Sequence, residues 1–111
     1  MAGVDHLADV RKYAQGTVDE AAVAGLAKTY RLVLSKSDTR YVACADPAER
    51  ERVRKNFLEK KLGLSVPDLD TAIEAVCAAM KAERTKSRLT FYYLLAERFG
   101  KLSLFAGEAK A

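Results

Sequence analysis

The side chains of this sequence that could do chemistry are few. They are one histidine (His6), two cysteines (Cys44 and Cys77), three close carboxylate pairs, and two basic runs at 50–61 and 81–88. A Ser-His-Asp or Cys-His device needs a histidine as its base, and here it would rest entirely on His6. That residue stands at the edge of the first expected helix, near a chain end that frays, so a surface or capping role is expected for it. The carboxylate pairs Asp5/Asp9, Glu49/Glu51 and Asp68/Asp70 could act as acid and base only if one member were desolvated enough to raise its pKa. All three fall in first turns of expected helices, where negative charge complements the helix dipole, so their expected role is structural.

Cys44 and Cys77 are too far apart in sequence for a Cys-x-x-Cys redox motif, and one histidine with two distant cysteines offers no closely spaced metal ligands. Cys77 shares an apolar stripe with Ile73 and Met80. Both cysteines are therefore expected as reduced, small core residues. The six glycines are all isolated, which excludes a glycine-rich phosphate loop. The sequence thus points to no catalytic residue, no cofactor and no metal.

Positive charge is what remains. Arg50, Arg52, Arg54, Lys55, Lys60 and Lys61 stand against Glu51 and Glu59, a local charge of +4, and Lys81, Arg84, Lys86 and Arg88 stand against Glu83, a local +3. Arg50, Arg54 and Lys61 lie near one another on one expected helix. If they met Lys81, Arg84, Lys86 and Arg88 in space, these seven would form a binding patch able to contact phosphates. The plainer expectation is a solvated face with local ion pairs, such as Glu51 with Lys55.

The elements that position these groups read as helices. The chain has 111 residues, 50% of them hydrophobic and 31% charged, which bounds it to one soluble globular domain able to bury a core. No apolar run approaches the roughly 20 residues that span a bilayer, and the first residues lack a secretory pattern. No membrane and a cytoplasmic location are expected.

Prolines and glycines punctuate five helices. The first covers 7–13 and stops at Gln15-Gly16, and the second opens on the capping-box sequence Thr17-Val18-Asp19-Glu20 and runs to Leu32. Ser35 to Asp38 forms a turn cluster, and 39–43 is too short for more than a helical turn or two. The third helix, 47–62, is announced by Asp46-Pro47-Ala48-Glu49, with a capping side chain, a proline at the first helical position and an acid near the dipole's positive end. The fourth opens at Ser65-Val66-Pro67-Asp68 and runs to Met80. The fifth, 88–99, is capped by Ser87 and ended by Gly100. A strand over 89–95 fits the residue types, but a helix is expected because no second strand is evident to pair with it. Residues 1–4 and 106–111 are expected to fray, with Leu102, Leu104 and Phe105 folding back onto the core.

The fifth helix is apolar on nearly every side and holds four of the nine aromatic residues, so it should be central and surrounded by the others. Tyr92 and Tyr93 point about 100° apart on a helix and cannot stack on one base. One is expected in the core and the other at the surface.

The segments 46–64, 73–80 and 84–102 together resemble a family of small bacterial proteins known only as a domain of unknown function. The resemblance covers most of the chain and implies an all-α fold with one helix enclosed by the others. It implies no activity and no site residue. By elimination, the expected function is a non-enzymatic cytoplasmic module that binds a protein partner or a second copy of itself. The alternative is nucleic-acid binding through the basic patches at 50–61 and 81–88.

Overall fold

Local capping side chains start three of the described helices. The computed structural model describes residues 6–65 and 67–109, running α1 (His6–Arg11), α2 (Glu20–Thr29), α3 (Arg31–Ser35), β1 (Tyr41–Val42), α4 (Pro47–Arg52), a π-helical segment (Val53–Lys61), α5 (Leu69–Ala79), β2 (Lys86–Ser87), α6 (Arg88–Arg98) and α7 (Leu102–Ala109). The expectations for residues 1–4, Asp5, Val66 and 110–111 lie outside the described residues.

The Asp46 carboxylate accepts the Ala48 N–H at 2.9 Å with Pro47 at the first helical position, as the sequence predicts. α4 continues without a break into the π-helical segment, where the wider turn is closed by Leu62 N–H donating to the Phe57 carbonyl at 2.9 Å. Gly63, at φ +71°, then ends the helix, as Gly100 at φ +68° ends α6. The Ser87 hydroxyl accepts the Thr90 N–H at 3.4 Å and opens α6.

α6 is the centre of the molecule. Nine consecutive residues, 88–96, are buried. Around it pack Val10 of α1, Leu26 of α2, Phe57 and Leu58 of the π-helical segment, Ile73 of α5 and Phe105 of α7, all essentially inaccessible. This is the enclosed helix that the sequence predicts, within an all-α domain.

Six expectations change. Thr17 does not cap α2: it is exposed, and Asp19 takes that role by accepting the Ala22 N–H at 3.0 Å. Nor does α5 use its S-x-x-D signal, because the helix begins only at Leu69, with Asp68 at the N-cap position making no side-chain cap bond. The expected helix to Leu32 breaks at Tyr30, whose ring turns to meet Tyr92 edge-on at 5.1 Å. Residues 41–42 form not a helical turn but a short antiparallel ribbon with 86–87, Tyr41 opposite Ser87 and Val42 opposite Lys86. That ribbon answers the missing-partner argument without changing its conclusion, since 89–95 is helical. The end does not fray at 106, because α7 lies directly on α2. A Cβ at Gly25 would fall 1.7 Å from the Phe105 carbonyl oxygen, so only glycine permits this approach. Phe105 folds in fully and Leu102 partly, while Leu104 stays exposed.

The sixth change concerns the cysteines. Cys44 and Cys77 are joined in a disulfide with their Cα atoms 6.0 Å apart, rather than standing as reduced core thiols. The loop after β1 brings Cys44 against α5, a juxtaposition that depends on the tertiary fold and not on sequence spacing.

Candidate functional site

Arg88 begins α6 because Ser87 caps it, and Tyr92 stands one turn further along the same face. Glu49 lies in the first turn of α4 and points inward. The β1–β2 ribbon lays the backbone of 39–41 beside both. The result is a tightly bonded cluster. Arg88 Nη2 donates to Glu49 Oε2 at 2.5 Å and to the Tyr41 carbonyl at 3.2 Å, and Nε donates to the Thr39 carbonyl at 2.5 Å. Nη1 donates to the Tyr92 hydroxyl at 3.1 Å, and the Arg88 backbone N–H to the Arg40 carbonyl at 2.7 Å. Arg88 and Glu49 are 8% and 6% exposed, so this is a buried ion pair with its donors directed to fixed acceptors.

This cluster floors an open cleft of about 470 Å³. One wall is Tyr30 and Val33 at the α2–α3 junction, a second is Asp38 and Thr39, and the third is Arg52 and Asn56. Arg52 donates from Nε (3.3 Å) and Nη2 (3.2 Å) to Glu49 Oε1, while most of its side chain is exposed. Burial opposes the Arg88 charge, but Tyr92 and Glu49 more than offset this and hold the guanidinium above its ordinary pKa. Burial also raises the Tyr92 pKa against the opposing pull of Arg88, so the phenol is protonated at neutral pH. Having accepted a hydrogen bond from Arg88, its hydroxyl keeps its own proton for donation. Phe57, stacked on the Tyr92 ring at 3.9 Å, fixes its orientation.

The expected seven-residue basic patch takes a different form. Arg88 is buried in the cluster just described and is not part of an exposed junction. Lys86 is half-buried in β2 and donates to the Glu83 carbonyl at 3.0 Å. Arg50 pairs with Glu74 at 3.2 Å, and Arg54 with Glu59 at 2.7 Å, Asp70 at 3.3 Å and Glu51 at 3.8 Å. Lys61 Nζ lies 5.6 Å from the Phe105 ring centroid. Lys81 and Arg84 are exposed. The plainer ion pair, Glu51 with Lys55, is present at 3.2 Å.

The other candidates take structural positions. His6 is half-buried at the first position of α1 and lines a small cavity of about 30 Å³ with Leu34 and Arg40. Asp9 accepts a short hydrogen bond from the fully buried Thr90 hydroxyl. Asp68 and Asp70 are exposed. Tyr92 reaches only the cleft, and Tyr93 does not reach the surface at all. It is fully buried, accepts the Asp19 N–H at 2.9 Å, and has its pKa raised by burial.

The sequence reading placed Glu49 as a first-turn carboxylate with a structural role, and missed its burial against Arg88. Its signal was present, because Glu49, Val53 and Phe57 recur at intervals of four, so the apolar stripe of the third helix extended back one turn falls on this acid.

Fold and cleft together define a small all-α domain with a buried Arg–Glu pair beneath an open, mixed apolar and polar recess. Residues 5–103 match the family described as "Protein of unknown function (DUF2853)", and the chain belongs to that family. No curated protein matches the chain.

Proposed function

We propose that this protein is a non-enzymatic binding module that takes a protein partner over the α2–α3 junction and the adjoining cleft. The observation that carries this reading is Leu32, which stands 70% exposed on the short helix α3, next to Val33 of the cleft wall. A large aliphatic side chain held that far out of the core gains free energy when a partner covers it. The polar floor of the cleft supports binding over catalysis. Arg88 and Glu49 are engaged with each other and with fixed neighbours, so neither is poised to exchange a proton with a substrate.

The nucleic-acid alternative has less to support it, because Arg50 and Arg54 already face carboxylates and Arg88 is buried. Arg52, Lys55, Lys60, Lys81 and Arg84 are the exposed cations of its two runs, with Arg52 and Lys55 already facing carboxylates. Among the described residues no helix is long and apolar enough to cross a membrane. A cytoplasmic, bacterial setting belongs to the same proposal. The Cys44–Cys77 pair gives that setting its test, since reducing compartments keep such pairs as thiols. Rapid alkylation of the protein in its native cells should then trap free thiols, and a fully blocked pair would remove the cytoplasm from the proposal.

The binding reading is tested by capturing partners with the wild-type chain, with Leu32→Ser and with Lys81→Glu/Arg84→Glu. Loss of a protein partner with Leu32→Ser alone supports it. Retention with Leu32→Ser, together with salt-sensitive nucleic acid lost on the double charge reversal, would replace it with the alternative.

A further inference from the structure

The cleft and a smaller depression of about 280 Å³ along α3 adjoin, with Tyr30 and Val33 lining both. The two halves of this surface differ in chemistry. The α3 half is a ledge carrying Leu32, flanked by Lys28 and Arg31. The cleft half is polar, and its formal charges are Arg52 and Arg88 against Asp38 and Glu49. Leaving Lys28 aside, the surface sets Arg31, Arg52 and Arg88 against Asp38 and Glu49, one cation more than anions, and Glu49 is already shared between Arg88 and Arg52.

The donors facing the cleft specify what it accepts. Arg52 uses Nε and Nη2 on Glu49, so the edge it offers to a ligand is Nη1. Tyr92 lines the cleft, its hydroxyl is oriented by Arg88 and keeps a proton to donate, and the exposed Asn56 adds an amide. A ligand amine placed beside Asn56 and Tyr92 would meet the cation Arg52, with Asp38 standing only on the opposite wall. A ligand carboxylate would meet donors. Asp38, on the opposite wall, can take a backbone N–H.

Resting on the binding reading above, we propose that the partner segment is an acidic peptide with an apolar residue beside a carboxylate. The carboxylate sits between Arg52, Asn56 and Tyr92, and the apolar side chain lies on Leu32, Val33 and Tyr30. A nucleic-acid backbone supplies anions but nothing to cover Leu32, and a free small carboxylate fills the cleft but leaves the ledge bare. Only a chain carrying both groups satisfies both halves.

Fluorescence anisotropy with labelled synthetic peptides tests this. The panel is a peptide alternating Glu with Leu, the same length alternating Lys with Leu, a Glu/Ser peptide lacking apolar residues, and a single-stranded RNA. The Glu/Leu peptide should bind best. Arg52→Gln, which keeps a donor for Glu49, should weaken it roughly tenfold or more, the worth of one charge-assisted hydrogen bond. Leu32→Ser should weaken it comparably, with the circular dichroism of both variants unchanged. Equal binding of the Lys/Leu peptide, no binding of the Glu/Leu peptide, or indifference to Arg52→Gln would each overturn the acidic specificity. Preference for RNA, or a homodimer by light scattering that Leu32→Ser disperses, would assign the surface to another occupant and overturn it as well. If captured partners depend on Leu32 while the Glu/Leu peptide fails to bind, the specificity is wrong and the module reading stands.

Discussion

Two arginine–carboxylate clusters flank the continuous helix formed by α4 and the π-helical segment, and they use the same chemistry in opposite surroundings. Arg88 and Glu49 have side chains 9% and 7% exposed, whereas Asp70 and Glu74, the α5 partners of Arg54 and Arg50, are 74% and 68% exposed. In the first cluster the charges of Arg88 and Glu49 are largely withdrawn from water and depend on their protein partners. In the second, water and salt can replace any partner that is lost. A basic residue in the sequence therefore says little about availability. Arg88 counts toward the local charge of its run but is not available at the surface, while Arg54 is near the surface and already neutralised.

The largest expected effect breaks the buried cluster. Arg88→Ala should destabilise the fold by about 3–5 kcal/mol in denaturant unfolding, because it strands Glu49 without its main partner. Replacing both with apolar residues of similar volume, Arg88→Met with Glu49→Leu, should recover most of that loss. A single substitution costing under about 1 kcal/mol would place the two clusters in one class and dissolve the comparison.

The disulfide comes next, because it ties one cluster to the other. Cys44 follows β1, whose neighbourhood supplies the carbonyls of Thr39, Arg40 and Tyr41 to Arg88, and Cys77 lies on α5 one turn beyond Glu74. Opening a crosslink that spans 33 positions should cost about 2–4 kcal/mol. The sharper readout is coupling. If the tether holds the carbonyls in place, Arg88→Ala should cost less in the reduced protein than in the oxidised one. Additive losses would show that the ribbon positions Arg88 without help from Cys44–Cys77.

What the sequence made legible follows the same division between local and tertiary causes. Asp46-Pro47, Ser87 and Gly100 act within a few residues of themselves, so α4 and α6 begin or end where those signals stand. The run from Leu89 to Ala96 is apolar on nearly every side, so its burial needed no knowledge of its neighbours. By contrast, the ribbon joins 41–42 to 86–87 and the disulfide joins Cys44 to Cys77, and neither pairing leaves a mark in spacing. The cleft fell between these cases. Glu49 continued a visible apolar stripe, but the helix-start signal explained the acid so completely that its inward direction went unread.

On the exposed side, Arg54→Ala should change stability by less than about 1 kcal/mol despite its three carboxylate neighbours, and the effect should shrink further as salt is raised. A loss as large as that of Arg88→Ala would mean that the Arg54 network behaves as a buried one.

The smallest effect probes a pair between these extremes. The half-buried Tyr13 hydroxyl donates to Glu83 at 2.5 Å, with Lys12 3.5 Å from the same carboxylate. That hydrogen bond, followed by burial and the nearby charges of Glu83 and Asp9, pushes the Tyr13 pKa up to about 12, while the bond from Tyr13 and the charge of Lys12 hold Glu83 below the usual carboxylate value. For Tyr13 the folded pKa is the higher one. Its contribution is therefore complete below the ordinary tyrosine value near 10 and is lost as pH rises from there toward about 12. For Glu83 the folded pKa is the lower one, so its contribution holds above the ordinary carboxylate value and disappears as pH falls through the depressed one. Tyr13→Phe should thus flatten the alkaline limb of the stability curve relative to wild type. Tyr92 and Tyr93, whose pKa values are also raised, remain in both proteins and cancel in the difference. Identical alkaline limbs would mean that water, and not Glu83, sets the Tyr13 proton, and would move this pair to the exposed side of the comparison.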